Sequence, residues 1–339
     1  MGLEIDGGWG EGGGQIVRTA VSLACAQGKG IVVNNIRKGR KQPGLRPQHL
    51  AGINLAAEMC DADVKGLEVG STNIEFRPGN NIGGRFETDI GTAGSISLVL
   101  QACLIPALFA KGQTSLHIRG GTDVPLSPPT DFLSMVILPL LRKMNANIEM
   151  TIDQRGFYPS GGGVVNVDIS PVGELKGIDI SETGRFQSII GNIASRNLPD
   201  HVPDRIQNAI VKYLSEYPIP KISKDSSKGP STGVSLTLAA IYENTILGSS
   251  ALGEKGLPAE RLGEIASQGL KETMTTGATL DDHTGDQLIP FMFLANGPST
   301  FKTPELSMHA RTNLWVVQQF MERKVDVQEA GRTTIVTIE

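Results

Sequence analysis

Cysteine is scarce in this chain. Cys25, Cys60 and Cys103 are the only three, each in an apolar setting such as Val21-Ser22-Leu23-Ala24-Cys25. An odd count with no Cys-x-x-Cys pair argues against a disulfide framework or a cysteine zinc site, and buried thiols in a reducing cytoplasm are expected instead. Long apolar runs are missing too. The longest, around Val99–Ala110, is broken by Gln101 and Pro106 and is too short to span a bilayer. No secretory signal is read at the start, where Met1 runs straight into Leu3-Glu4-Ile5-Asp6, so no membrane partner is expected. Positive charge is not in excess: the formal net charge is −4, a poor match to indiscriminate binding of duplex nucleic acid. The phosphate-loop fingerprint GxxxxGK[ST] is absent as well.

Glycine, by contrast, is plentiful, with 41 residues spread along the chain as turn punctuation. Six of them surround Glu11 in Ile5-Asp6-Gly7-Gly8-Trp9-Gly10-Glu11-Gly12-Gly13-Gly14-Gln15, and a regular apolar run follows at once. Such a loop lets a ligand approach the main chain, and the helix behind it points free N–H groups forward, which suits phosphate. Glu11 supplies an oxygen of the kind that holds Mg²⁺ beside phosphates. The alternative is a glycine-rich turn with a solvated Glu. A second local signal is basic: Arg37, Lys38, Arg40, Lys41 and Arg46 crowd one window of an acidic chain, as one anionic site or one solvated loop would require.

Periodicity orders the chain into repeats. Residues 1–79 read as strand (Gly2–Asp6), helix (near Gly13–Ala26), strand (Ile31–Ile36), helix (Pro47–Met59) and a strand pair (Val64–Val69, Thr72–Phe76). The order returns about 80 residues later: Thr88-Asp89-Ile90, a helix near Ile96–Ala110, Ser115–Arg119, a helix near Asp131–Met144, then Asn147–Ile152 and Val164–Ile169. A third copy is split. Gly177–Ser181 opens it, and Asp286–Leu294, Ser299–Lys302, Ala310–Glu322, Lys324–Gln328 and Thr333–Glu339 complete it. The expected fold is therefore α+β: three β-α-β-α-β-β units packed together in residues 1–183 and 279–339. A smaller α/β domain, residues 184–278, is inserted in the third. That segment, with helices near Pro203–Glu216 and Pro258–Thr275 and strands at Gly233–Ala240 and Asn244–Ala251, carries no chemical motif.

In the third copy, Ser307-Met308-His309-Ala310-Arg311-Thr312-Asn313 puts His309 at a helix start, where the positive dipole end favours a neutral, nucleophilic imidazole. A hydrogen-bonded structural histidine is the alternative. Leu280-Asp281-Asp282-His283-Thr284-Gly285-Asp286-Gln287 offers carboxylates and an imidazole at another helix start, as a metal or ribose contact or as a plain cap. His49, His117 and His201 have no grouped partners and read as structural or exposed. If the copies pack about a pseudo-threefold axis, these loops converge in one cleft.

Taken together, several motifs in this order resemble the RNA 3′-terminal phosphate cyclases, over essentially the whole chain. They are the glycine stretch, Arg37-Lys38-Gly39-Arg40, Pro43-Gly44-Leu45-Arg46-Pro47-Gln48-His49-Leu50, Gly120-Gly121-Thr122-Asp123, Pro128-Pro129-Thr130-Asp131-Phe132, Gly161-Gly162-Gly163, Asp286-Gln287, and His309 with Thr312-Asn313. That family's body consists of three units similar to the C-terminal domain of translation initiation factor three, with a domain inserted in the third. The resemblance implies an ATP- and divalent-metal-dependent (Mg²⁺ or Mn²⁺) conversion of an RNA 3′-phosphate to a 2′,3′-cyclic phosphate. It implies that His309 becomes adenylylated, that Glu11 is the metal ligand and that Arg37 and Arg40 contact phosphates. Arg18, Gln48 and Gln101 would lie near the nucleotide or RNA end. Pro128, Phe132, Asp286 and Gln287 would line an adenosine pocket, with His283 where relatives often carry a stacking Tyr. RNA 3′ ends are the implied partner, and the 184–278 segment, which carries none of these motifs, is expected to tune RNA engagement and not to perform adenylylation; the oligomeric state stays open, a homodimer among the options. Two other readings are a non-catalytic cyclase-like ribosome-assembly factor, described as lacking the nucleotidylated His, and an enolpyruvyl transferase, whose chains are longer and have no counterpart of Glu11 or the His309 loop.

Overall fold

The computed structural model describes residues 2–339, a mixed α+β chain built on four small mixed sheets. Alternating apolar and polar residues make the first strands, and a helix crosses between each parallel pair, as parallel pairing demands. The first sheet holds β1 (Leu3–Asp6), α1 (Gln15–Gln27), β2 (Ile31–Asn34), α2 (Pro47–Met59), β3 (Asp63–Lys65) and β4 (Ile74–Arg77). The second holds β5 (Gly84–Asp89), α3 (Ile96–Leu108) and β6 (Thr114–Gly120). A helix in three parts follows, α4 (Thr130–Phe132), a π-helical turn (Leu133–Ile137) and α5 (Leu138–Lys143), and then β7 (Asn147–Gln154) and β8 (Gly163–Ser170). After β9 (Asp179–Ile180) the chain departs into β10 (Phe186–Arg196), α6 (His201–Tyr213), β11 (Lys221–Ser227), β12 (Gly233–Tyr242), β13 (Ile246–Leu252) and α7 (Ala259–Thr276). It returns with α8 (Asp282–Leu294), β14 (Ser299–Thr303), α9 (Met308–Phe320), β15 (Val325–Ala330) and β16 (Thr333–Ile338).

Three sheets share one strand order, β1-β2-β4-β3, β5-β6-β8-β7 and β9-β14-β16-β15, and in each the first pair is parallel and the others antiparallel. The fourth, β11-β10-β12-β13, has a different order. Its strands β10 and β11 are not legible in the apolar pattern. β11 is an edge strand of Lys221-Ile222-Ser223-Lys224-Asp225-Ser226-Ser227 whose side chains mostly meet solvent, so no apolar face marks it.

Helices fill the middle. α1 packs on α2, α3 and α9, and α8 packs on α9 and on the π-helical turn. α3 is buried on every side except at Gln101, as a helix apolar all round must be. One apolar cluster draws on residues from Ile5 to Ile338 across the three like-ordered sheets and takes in Ala239 of β12 and Ile246 of β13, while a second, Ile189 to Leu270, lies wholly within β10–α7. Among the described residues, no helix is long and apolar enough to cross a membrane.

The helix starts meet in pairs across the sheets. Gln15 at the start of α1 donates from Nε2 to the His309 carbonyl in the first turn of α9 at 2.8 Å. Gln48 at the start of α2 accepts from the N–H of Ser95, the cap of α3, at 3.2 Å. α8 approaches the helix after Pro129, with Gly248 of β13 between them.

Candidate functional site

The glycine loop lies directly on the basic loop. Gly12 has φ +55°, and a Cβ there would stand 2.8 Å from the Gly39 nitrogen, while one on Gly39 would stand 2.5 Å from the Glu11 carbonyl oxygen. Only glycine permits that backbone-on-backbone contact, so Glu11 and Arg40 are set side by side, Oε2 to Nη2 at 3.4 Å. Trp9 stacks on Trp315 with ring centroids 4.9 Å apart and planes within 2°, which ties the loop to α9. α1 begins at Gly14 with no side-chain cap, so its first N–H groups face the same space.

His309 sits in the first turn of α9, whose cap Ser307 accepts from Ala310 N at 3.0 Å. The Gln15 amide clamps it. A carbonyl can only accept, so the amide nitrogen must face the His309 carbonyl; Oε1 is then left to pair with His309 Nδ1. Nδ1 therefore carries the ring proton, and Nε2 keeps its lone pair. That nitrogen lies 3.3 Å from Glu11 Oε2. Burial lowers the imidazole pKa, Glu11 opposes it, and Arg18, Arg40 and His283 lower it further, leaving a neutral ring. The sequence attributes neutrality to the helix dipole; burial and the neighbouring cations are the causes seen here.

Behind His309 a chain of amides reaches α8. Arg18 Nε donates to Gln101 Oε1 at 3.2 Å, Gln101 Nε2 to Gln287 Oε1 at 3.1 Å, and Gln287 Nε2 to the His283 carbonyl at 3.0 Å. Gln101 is the polar interruption of the otherwise buried α3. Burial brings Arg18 down to about 10, with Asp286 holding it up, so it stays charged at neutral pH. Burial and the charge of Asp281 raise Asp286 well above the carboxylate range against the pull of Arg18. Asn313 joins the two sides, donating to the Asp286 carbonyl at 2.8 Å and accepting from Thr19 Oγ1 at 3.0 Å.

Glu11, Arg40 and His309 thus form one cluster and Arg18, Gln101 and Gln287 a second, tied to the first by the charge of Arg18 acting on His309; Asp286 joins through its carbonyl to Asn313, and Gln48 stands at the α2–α3 joint. Arg37 is partly turned to its own loop, donating from Nη1 to the Gln42 and Gly44 carbonyls, both at 2.8 Å. His283 is exposed and Pro128 half-exposed. Phe132 departs from expectation as an adenosine wall: it is 1% exposed, its ring against the Gly248 backbone, because β13 covers it. His49 is 3% exposed and structural, its Nδ1 accepting from Arg46 N at 3.0 Å at the start of α2. Gln15 was missed as a site residue although it ends the glycine motif. The signal was there, a polar residue at the first position of an apolar helix. Among the described residues, no group of three or more His, Cys, Asp or Glu side chains gathers to hold a metal.

A bare imidazole nitrogen beside one carboxylate, with arginines converging on it, is equipment for chemistry on phosphate esters. The model of the RNA 3′-terminal phosphate cyclase family matches residues 9–327. Proteins named RNA 3′-terminal phosphate cyclase are similar along almost their whole length. The one from Nitrosospira multiformis is 44% identical, over 96% of this chain and 94% of its own. Those from Archaeoglobus fulgidus, at 42% over 95% and 97%, and Methanosarcina barkeri, at 44% over 96% and 97%, are alike in extent. The chain belongs to the RNA 3′-terminal phosphate cyclase family and is an enzyme of that type.

Proposed function

We propose that this chain uses ATP to turn an RNA 3′-terminal phosphate into a 2′,3′-cyclic phosphate, through adenylylation of His309. The observation that carries the reading is the Gln15 clamp, which leaves Nε2 of His309 unprotonated beside Glu11 and Arg40. A terminal phosphate has no leaving group of its own, so direct ring closure would expel hydroxide or oxide. In the proposed sequence, His309 Nε2 attacks the α-phosphorus of ATP and pyrophosphate departs. An oxygen of the RNA 3′-phosphate then attacks the His-bound AMP, freeing the imidazole and giving RNA(3′)pp(5′)A. Attack of the vicinal 2′-hydroxyl on the 3′-phosphorus closes the ring and releases AMP. The phosphoramidate on histidine is labile enough to pass AMP on.

Arg40, Arg18 and the free edge of Arg37 neutralise phosphate charge, and the uncapped start of α1 offers N–H donors. Gln48 lies toward the RNA end. Gln101, Pro128, His283, Asp286 and Gln287 flank the adenosine, with Phe132 beneath that wall and not exposed in it. Glu11 would hold Mg²⁺ or Mn²⁺; a single carboxylate fits an ion that takes most of its ligands from phosphates and water. Such an ion supplies charge neutralisation on the triphosphate. The three like-ordered sheets support reading residues 1–183 and 279–339 as three initiation-factor-three-like units, and the self-contained apolar cluster supports 184–278 as an inserted domain. The buried free thiols suit the cytoplasm.

Incubating the protein with α-labelled ATP and metal, without RNA, tests the reading. AMP should be found on His309 by mass spectrometry, in a bond stable to base and labile to acid, with pyrophosphate released. His309→Ala should fold normally and lose both labelling and cyclisation. AMP on another residue, or an active enzyme with no adduct, refutes the assignment.

A further inference from the structure

Of the three joints between helix starts, two are direct and one is not. In the α1–α9 and α2–α3 joints, Gln15 and Gln48 bond directly to the partner helix's start. At the third, Gly248 of β13 is wedged between α8 and the helix after Pro129. Its N–H donates to Asp281 Oδ2 at 2.9 Å, and its other side has no room for a side chain: a Cβ would lie 2.5 Å from Phe132 Cε2 and 2.9 Å from Val136 Cγ2.

Asp281 is 5% exposed and caps α8, its Oδ1 accepting from Thr284 N at 2.9 Å and its Oδ2 from Thr284 Oγ1 at 2.7 Å. A serine could cap the helix; it takes a carboxylate to cap the helix and hold a strand at once. Thr245 Oγ1 adds a bond to the Thr279 carbonyl at 2.6 Å, just before the cap. The first turns of α8 carry His283, Asp286 and Gln287, and Gln287 begins the amide chain that ends at Arg18.

The 184–278 segment is itself held firmly. Arg155, 5% exposed, donates to Asp131 from Nη1 at 2.7 Å and from Nη2 at 3.0 Å, and to Asp225 of β11 from Nε at 2.6 Å. Asn192 of β10 donates to Asp131 at 3.0 Å and Ser235 of β12 to Asp123 at 2.5 Å. The Gly120–Asp123 and Pro128–Phe132 motifs therefore serve this anchorage. A segment fixed at Arg155 and bonded to the α8 cap is placed to set where α8 begins.

We propose that Asp281 is a positioning residue for nucleotide binding, and that the 184–278 segment, through Gly248, orients the first turn of α8. The proposal rests on the reading of α8 as the adenosine wall, and it replaces the expectation that this segment serves RNA engagement alone.

The test uses the full chain. Asp281→Ser keeps the cap and drops the Gly248 bond; Gly248→Ala pushes a methyl into Phe132, and Gly248→Ala with Phe132→Leu restores the space. Hydrogen exchange over residues 282–288 and the equilibrium Kd for ATP are measured, together with the labelling rate at saturating ATP. Asp281→Ser and Gly248→Ala should each speed exchange in that turn and raise the ATP Kd by about tenfold, the loss expected for one hydrogen bond to a charged group. The effect should fall on Kd and not on the saturated labelling rate, and the double variant should recover most of it. Unchanged exchange in Asp281→Ser refutes the latch. Faster exchange with an unmoved ATP Kd refutes its link to nucleotide. A wild-type protein that binds no ATP refutes the adenosine reading and the nucleotide half of the proposal, while exchange still reports on the latch.

Discussion

Two arginine clusters in this molecule have opposite characters. Arg155 is buried, and its whole guanidinium edge is spoken for by Asp131 and Asp225, with Asp123 at 3.6 Å. Burial opposes its charge, but the three carboxylates outweigh burial and hold it above the ordinary arginine value. Around His309 the balance is reversed. The charges of Arg18 and Arg40 act on the imidazole, and among the described residues Glu11 is the one carboxylate they or His309 meet in salt-bridge contact, Arg40 at 3.4 Å with 44% of its side chain exposed. The first network is complete without a ligand. The second is short of negative charge, which is the condition of a site built for phosphate. Charge density alone does not separate structure from function; whether the donors are already satisfied does.

Breaking the finished cluster should have the largest effect. Arg155→Met leaves buried carboxylates uncompensated and should destabilise the fold by about 3–5 kcal/mol. Urea unfolding will measure it, and a loss below about 1 kcal/mol would put Arg155 in the class of surface pairs. Arg37→Ala and Arg40→Ala should do the converse. Each should lower kcat/KM for cyclisation by about 1–3 kcal/mol of transition-state stabilisation while leaving stability nearly unchanged. Because a lysine lacks the bidentate fork, Arg40→Lys should recover only part of the rate. Wild-type kinetics in both alanine variants would make the basic loop a solvated surface.

A smaller effect sharpens the contrast between the imidazoles. His49 is buried next to the same arginines; burial first, then Arg18, Arg37 and Arg46, bring it from 6.5 to about 3. The unfolded chain therefore takes up a proton below pH 6.5 that the folded chain refuses until about pH 3. The stability that the neutral ring contributes is complete above that window and is lost as pH falls through it, by up to about 1.4 kcal/mol per pH unit. His49→Asn keeps an acceptor for Arg46 N and should flatten the slope of urea stability between about pH 6 and 5, above most carboxylate titration. The smallest effect should be on the Glu11–Arg40 pair: Glu11→Ala should change unfolding free energy by less than about 1 kcal/mol, since both side chains are exposed. A larger loss would make that pair part of the scaffold and weaken the comparison.

Much of this was legible in the residues. Helices α1, α2, α3 and α9 announce themselves by apolar period, and the glycine run, the basic window and His309 stand out because each breaks the surrounding pattern. The family also follows from motif order. Chemical identity and local period are properties of short stretches, and a short stretch displays them. What the linear pattern did not show are relations between distant atoms. Gln15 shows in the pattern only as a polar residue opening an apolar helix; its use is set by His309, 294 positions away. Phe132 is expected from the motif to line a pocket, and β13 lying across it makes it core instead. β11 is polar because an edge strand needs no apolar face. Asp281 looks like a helix cap, as it is, and the second strand it holds comes from a hydrogen bond to Gly248 that no local signal encodes. Residue type specifies which atoms can donate, accept or carry charge; three-dimensional packing decides which of those capacities are used up and which are left for a ligand.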